Sequence, residues 1–427
     1  VKSFHGYHYS LEYLKEKPIG RLVAPPYDII GEKDKKRLSE DPENIVHITL
    51  GKNEKGYDDA ARLLKTWIQE GKIQKDDSPN LYIYEQDYSI NSQTGRKKRT
   101  GFIGLVRLED FSKKIIMPHE KTMPKYSLDR LELLRATNAN LEQIFGIYND
   151  STGRIDEILE KNKKIENLLF EFEDWQGTIH AIWKLSELET INQIRLFMNP
   201  RTIVIADGHH RYETSLMYRQ EMREKLGDPL ESIPADYVMM TLINIKNPGL
   251  LALPTHRLIH GLPEAQVRGF YNRVQQYFDY KLYENEKEFY EFFQNAPLMT
   301  IGVYSKVEDM WGAITLKNPQ IMDSILGTEN VNRYIDTCIL HDLIMKEILS
   351  IDEDMQKNKD YVDYLRGTKD VVQVAKEENK YQLVFIMKPT PMEDVEKSVL
   401  YSQRMPQKST YFYPKVWSGL VIRLLEE

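Results

Sequence analysis

Arg201-Thr202-Ile203-Val204-Ile205-Ala206-Asp207-Gly208-His209-His210-Arg211-Tyr212-Glu213-Thr214 is the stretch from which the fold is read. Ile203, Val204 and Ile205 are β-branched and apolar, the signature of a short buried strand. The run breaks at Asp207-Gly208, a pair that tolerates the sharp reversal of a turn. Leu216, Met217, Gln220 and Met222 follow at helical spacing. Strand, turn and helix in direct succession put His209, His210 and Arg211 in a helix's first turn. Free backbone N–H groups and the positive end of the helix dipole favour an anion there. Arg211 adds a forked cationic donor suited to phosphate or carboxylate, and the imidazoles add donors or proton carriers. Successive helical positions point about 100° apart, so the two histidines cannot share one role.

Upstream, Val23-Ala24-Pro25-Pro26-Tyr27-Asp28-Ile29-Ile30-Gly31 has two prolines that fix an extended backbone with few donors to satisfy. Such a segment either holds Tyr27 and Asp28 in place or serves as a structural loop with Asp28 as a cap. Asn44 to Leu50 reads as a strand, and Tyr57 to Gly71 as an amphipathic helix with Ala60, Leu63, Leu64, Trp67 and Ile68 inward. Leu81 to Gln86 and Thr100 to Val106 read as strands joined by a polar hairpin tip around Asn91 to Lys97.

Met117-Pro118-His119-Glu120-Lys121-Thr122 is the second chemically dense stretch, offering a base, an acid, a cation and a hydroxyl. A carboxylate beside His and Lys acts as a general base when partly desolvated. The alternative is a charged surface loop. Met123 rules out the His-Glu-x-x-His zinc pattern, and a metal site from His119, His209 and His210 has little support. Ser127 is placed to cap a helix from Leu128 to about Thr137.

Further strands are expected over Ile179 to Leu185 and Tyr237 to Ile245, with Ser186 to Glu189 as a capping box opening a helix. His256 and Arg257 beside Thr255 form a polar knot in an apolar setting, suited equally to core satisfaction and substrate contact. Beyond the Asn247-Pro248-Gly249 turn the pattern gives helices over Pro263 to Phe278, Glu286 to Gln294, Asp336 to Leu349 and Glu393 to Ser402. It gives strands over Met299 to Tyr304, Ala313 to Leu316 and Gln382 to Met387. The chain closes on Met405-Pro406-Gln407-Lys408-Ser409-Thr410-Tyr411-Phe412-Tyr413-Pro414-Lys415, read as one wall of an anionic-ligand pocket or as a plain closing strand.

At 427 residues the chain calls for two or three domains. A net charge of −7 argues against nonspecific nucleic-acid binding. A lone cysteine, Cys338, excludes an intrachain disulfide framework and fits a reducing compartment. No run approaches the ~18 apolar residues of a membrane span and no signal-peptide core stands out, so a cytoplasmic location is expected.

The Ala24 to Asp28, His119 to Thr122, Asp207 to Tyr212 and Pro406 to Lys415 motifs, in that order, resemble domain-of-unknown-function family 1015, sometimes labelled ParB/SpoOJ-like. The Asp-Gly-His-His-Arg core is similar to that of ParB/sulfiredoxin-like nucleotide-binding proteins, among them kinases of free serine. The resemblance implies an α+β fold: a ParB/sulfiredoxin-like nucleotide-binding core over 1–246 and a second α/β domain. That C-terminal α+β domain, 247–427, would contribute a closing motif to the site. It implies a nucleoside phosphate, ATP or ADP, held at Asp207, Gly208, His209, His210 and Arg211 and met by Lys408, Ser409 and Thr410. Mg²⁺ would sit on Asp207 or Glu120, and the candidate catalytic residues are Glu120, His119, Asp28 and His209. In the compact kinases the catalytic glutamate stands a modest distance before the His-His-Arg motif, whereas Glu120 lies far upstream here.

The leading reading is therefore a nucleotide-dependent phosphotransferase acting on a small hydroxylated metabolite such as serine, with Glu120 or Asp28 as base. The alternatives are a nucleotide-gated DNA-binding or partition protein and a metal-dependent hydrolase. The expected partners are a nucleotide and a small molecule, not a membrane or nucleic acid, with homo-oligomerisation open.

Overall fold

The computed structural model describes residues 1–53, 56–90, 95–120, 125–358, 360–367 and 370–426. Lys121 and Thr122, and most of the expected hairpin tip (91–94), lie outside the described residues. The chain divides into two compact units, Val1–Pro118, Thr122–Leu251 and Pro414–Glu427 in the first, His119–Lys121 and Ala252–Tyr413 in the second. The expected division at 246/247 is drawn differently, because the C-terminal segment returns to the first unit. Arg423–Leu424 pairs there with Ala139–Asn140, and the backbone of Ile422 and Ser418 bonds to Tyr7 and Ala24.

The first unit is built on an eight-stranded mixed sheet. Its strand order is Ile116–Pro118, Ile203–Asp207, Ile144–Tyr148, Tyr237–Asn244, Arg96–Arg107, Leu81–Ser89, Ile179–Leu185 and Leu168–Glu173. Ile203–Asp207 runs parallel to Ile116–Pro118 and antiparallel to Ile144–Tyr148. Ile203 and Ile205 alternate into a core with Ile83, Phe102, Ile144, Met240 and Leu242, as a period-two strand requires. The helix Asp58–Gln69 buries Ala60, Leu64 and Trp67 at helical spacing. The helices Lys125–Thr137 and His209–Lys225 pack together through Leu131, Leu134 and Tyr218.

The second unit carries a six-stranded sheet ordered Phe278–Tyr283, Met310–Leu316, Thr300–Ser305, Tyr381–Ile386, Thr255–His260 and Val362–Arg366. Every pairing in it is antiparallel, so this unit is α+β. Neighbouring residues feed opposite faces: Ile259 and Phe385 join one core, Leu258 and Val384 the other. Among the described residues, no helix is long and apolar enough to cross a membrane.

Several local expectations are overturned. Val46–Thr49 is a short helix, not a strand. The Asn44 side chain accepts from Val46 N and donates to the carbonyls of Arg21 and Val23, closing a turn that overrides the β-branched run. The capping box at Ser186 does not form, because the helix opens at Leu188 with Glu187 in the cap position and no side-chain cap. Ser127 lies within the helix Lys125–Thr137, which starts earlier than the pattern implied. The expected helix from Pro263 is split at Gly269 into Glu264–Arg268 and Phe270–Val274, and Phe278 begins a strand. The Asp336 helix widens into a π-helix over Ile339–Ile348.

Candidate functional site

Ile203–Asp207 ends on Gly208, whose φ of 87° and ψ of 29° are left-handed and favour glycine. The helix His209–Lys225 starts on the next residue, with no side chain capping it. The two histidines diverge as their spacing demands: His209 is buried, whereas His210 is half-buried with Nδ1 3.8 Å from Glu213.

The Asp207 carboxylate is shared by two cations. One oxygen accepts from Lys415 Nζ at 2.6 Å and the other from Arg211 Nη2 at 3.1 Å. Lys415 arrives on the returning C-terminal segment, where Gln86 Nε2 donates to its carbonyl at 2.8 Å and Arg99 to that of Pro414. Arg211 Nη1 donates to the Gln143 carbonyl at 2.6 Å, while its buried Nε has no hydrogen-bond partner.

Around Arg211 the fold gathers residues remote in sequence. Glu142 Oε1 accepts from Tyr27 N at 3.1 Å and Ser418 Oγ at 2.8 Å. Arg130 stacks over the Tyr27 ring at 4.3 Å and donates to Asp129, Tyr57 and the Thr49 carbonyl. Burial works against the Arg211 charge, but Glu142, Asp207, Tyr27 and Asp28 outweigh it and hold its pKa above the ordinary value. Arg130 shows the same balance, with burial opposed by Glu142, Tyr57 and Asp129. Burial pushes the Tyr27 phenol up against the pull of Arg211. A cavity of about 50 Å³ opens on this cluster, polar along Arg130, Glu142, Arg211, Thr214 and Ser215 and apolar along Leu133, Leu141 and Val238.

Of the residues singled out from the sequence, Asp28, Asp207, Gly208, His209, His210 and Arg211 belong to the first unit. His119, Glu120, Lys408, Ser409 and Thr410 belong to the second. There His119 Nε2 and Thr410 Oγ1 share a 2.7 Å hydrogen bond, and Phe412 packs edge-on against the imidazole. Glu120 Oε2 lies 3.9 Å from His119 Nε2 and is buried without a hydrogen-bond partner. Ser409 Oγ donates to the Pro406 carbonyl, and its own carbonyl accepts from Thr390, so this residue secures its loop.

Sequence reading passed over Glu142, noted Arg130 only as a neighbour of the second dense stretch, and took Lys415 only as part of the closing motif read as a pocket wall. Glu142 sits in Leu141-Glu142-Gln143, a stretch without any pattern that would flag it. Lys415 was visible only as the last residue of the closing motif.

The donor set at Asp207 does not suit Mg²⁺, because both carboxylate oxygens already serve cations that would compete with the ion. Among the described residues, no group of three or more His, Cys, Asp or Glu could hold a metal ion.

A family model described as "Protein of unknown function (DUF1015)" matches residues 1–338. The chain belongs to this family. No curated protein matches it. Among solved structures, the chain is similar to a conserved hypothetical protein from Pyrococcus furiosus at 13% identity and a TM-score of 0.35, over 74% of this chain and 92% of that one. It is similar to a free serine kinase in complex with AMP at 12% identity and a TM-score of 0.35, over 73% and 86%. SbnI with a C-terminal truncation, from Staphylococcus aureus, matches at 12% identity and a TM-score of 0.35, over 76% and 89%.

Proposed function

We propose that this chain is a nucleotide-dependent phosphotransferase whose first unit, a ParB/sulfiredoxin-like core, holds the phosphates of ATP or ADP. The observation that carries the reading is the meeting of the Pro-Pro-Tyr-Asp segment with the start of the His209–Lys225 helix around Arg211 and Glu142. A helix opening on glycine, with Arg211, Arg130 and Lys415 close by, suits a polyanion. Such a transfer asks the protein for placed cations and a base more than for covalent chemistry.

In this scheme the cations balance charge on the phosphates while Asp28, exposed and within the field of Arg211, takes the proton of an acceptor hydroxyl. The acceptor oxygen bonds to phosphorus as the bond to the leaving nucleotide breaks. Asp207 is assigned to holding Arg211 and Lys415 rather than a metal, so no step runs through Mg²⁺. Asp28 is preferred to Glu120 as base because it shares the first unit's cluster. A small hydroxylated metabolite, serine included, is the acceptor class.

Calorimetry with ATP and ADP tests the nucleotide, and phosphoryl transfer to a panel of hydroxylated metabolites tests the chemistry. Asp28→Asn, a change at an exposed side chain, is expected to fold and bind nucleotide while losing turnover. Full transfer by that variant removes the base, and no saturable nucleotide binding by the wild type removes the proposal.

A further inference from the structure

The function proposed above leaves His256 without a task. On the strand Thr255–His260, Leu258 joins a core shared with the helices Glu286–Asn295 and Val371–Glu377, through Phe289, Phe293, Val371 and Val372. His256 stands two residues before Leu258 and so faces the same side of the sheet. On that side a cleft of about 730 Å³ opens between the two helices. Its size falls within the roughly 300–1,000 Å³ of small-molecule pockets. Glu286, Tyr290 and Phe293 line it from one helix at i, i+4 and i+7, and Asp370 and Val371 from the start of the other. Every residue around it belongs to the second unit.

His256 is 8% exposed. Met387 N donates to its Nδ1 at 3.1 Å, so Nδ1 is the accepting nitrogen and the ring proton sits on Nε2. Burial, then Arg257, hold the imidazole neutral with a pKa of about 4, against the pull of Asp370. Among the described residues nothing accepts from Nε2, yet the atom is not sealed in the core. Its N–H therefore opens on the cleft that the ring lines. A donor held this deep needs an acceptor, and whatever occupies the cleft has to supply it.

Charges of both signs stand around the same space. Asp370 Oδ1 accepts from Val372 N at 3.0 Å and Gln373 N at 3.1 Å, and Oδ2 has no hydrogen-bond partner among the described residues. Glu286 is exposed at the first position of its helix. Both carboxylates act on Tyr290, whose phenol is pushed up by burial, then by Asp370 and Glu286. Lys388 supplies the positive charge. Its Nζ donates to the carbonyls of Ala296 (2.6 Å) and Pro297 (3.3 Å) and lies 5.3 Å from the centre of the Phe293 ring. An ammonium has three protons, so one remains to give. Burial pushes Lys388 down, and the carboxylate that pulls against it is Asp336 rather than Asp370 or Glu286. Because the carboxylates open their helices, the dipoles there offset part of their charge. The cleft is thus not simply acidic; it presents separate acceptors and donors beside an apolar wall of Phe293, Val371 and Ile386.

We propose that this cleft binds a free α-amino acid with an apolar or aromatic side chain. The ligand carboxylate accepts from His256 Nε2 and Lys388 Nζ, and its ammonium donates to Asp370 and Glu286. The side chain packs on Tyr290, Phe293 and Val371. This site does not rest on the phosphotransferase reading. Its ligand needs no hydroxyl, and a failure of nucleotide binding leaves it standing.

Calorimetry on the full chain with L-phenylalanine, phenethylamine and 3-phenylpropionate is the test, since the three share one body and differ only in their charged groups. L-Phenylalanine is expected to bind saturably. Each of the other two lacks one set of charge-assisted hydrogen bonds and should bind at least about tenfold more weakly. Asp370→Asn keeps the helix cap, because Asn caps as well as Asp. It is expected to weaken L-phenylalanine about tenfold and not to weaken 3-phenylpropionate. Glu286→Gln, at an exposed side chain, is the second variant and should act in the same direction. Absence of saturable L-phenylalanine binding overturns the site. So does equal binding of either half-molecule, or L-phenylalanine affinity unchanged in both variants.

Discussion

Arg211 in the first unit and Arg257 in the second are both buried guanidinium groups, and they are neutralised in opposite ways. Arg211 bonds to Asp207 and stands in the field of Glu142 and Asp28, which together raise its proton affinity against burial. Among the described residues Arg257 bonds to carbonyls and an imidazole, and burial drags it down to about 10. The first cluster is balanced from within, so a ligand there must compete with the protein's own carboxylates. The second has a cation that its own unit opposes only through space, by Glu120 and Tyr364. Motif chemistry alone marks Asp-Gly-His-His-Arg as the anion site and leaves Thr-His-Arg open between core and substrate contact.

Replacing each arginine by methionine gives the largest contrast. Arg211→Met leaves Asp207, Glu142 and Asp28 with one cation fewer and is expected to destabilise by about 3 kcal/mol, the scale for removing one partner of a buried pair. Arg257→Met deletes a charge that nothing bonded neutralises. Its gain offsets the carbonyls left behind, so the net change falls within about 1 kcal/mol. Urea unfolding of the two variants checks the ranking, and an Arg257→Met loss as large as that of Arg211→Met breaks the comparison.

The acid limb of the stability curve sharpens it. His256 is buried beside Arg257, and its Nδ1 accepts from Met387 N at 3.1 Å. Burial, then Arg257, push its pKa from 6.5 down to about 4, with Asp370 pulling the other way. The unfolded chain therefore binds a proton that the folded chain refuses between these values. The stability His256 confers is complete above pH 6.5 and is lost as pH falls toward 4, about 3 kcal/mol in all. His256→Gln should flatten that limb. Arg257→Met should shift it partly, because burial, the larger cause, remains. A limb unchanged in His256→Gln would show that the imidazole titrates normally.

How far the sequence could be read depended on the range of the interactions. The strand Ile203–Asp207 and the helix from His209 follow from residues in contact with their own neighbours, and so does the amphipathic helix Asp58–Gln69. Asn44 defeated the strand expected at 44–50 because its side chain bonds to carbonyls at Arg21 and Val23, more than twenty positions away. The site divides the same way. His209, His210 and Arg211 announce themselves by spacing. Glu142 and Lys415 acquire their roles only when Tyr27, Ser418 and Asp207 are folded onto them. The neutrality of every acceptor around Arg257 is a property of three dimensions and leaves no trace in Thr255-His256-Arg257.

Gly208→Ala carries a smaller expected effect than Arg211→Met and bears most directly on how Arg211 is held. A methyl group at this position meets two penalties. The φ of 87° is left-handed, which costs a residue with a Cβ about 1–2 kcal/mol. The added Cβ would also lie 3.0 Å from the Arg211 Cζ, Nε and Nη2 atoms. Relief is available only by moving the guanidinium, since the backbone on either side is fixed by the sheet and the helix. That displacement loosens Arg211 from Asp207, so Gly208→Ala should lose about 1–2 kcal/mol of stability and also weaken nucleotide binding. Gly208→Ala and Asp28→Asn then separate cleanly: the first lowers nucleotide affinity, and the second leaves affinity intact and removes turnover. Calorimetry on the pair checks this. An alanine variant that loses stability but binds nucleotide as the wild type would mean that the position of Arg211 does not govern the phosphate site.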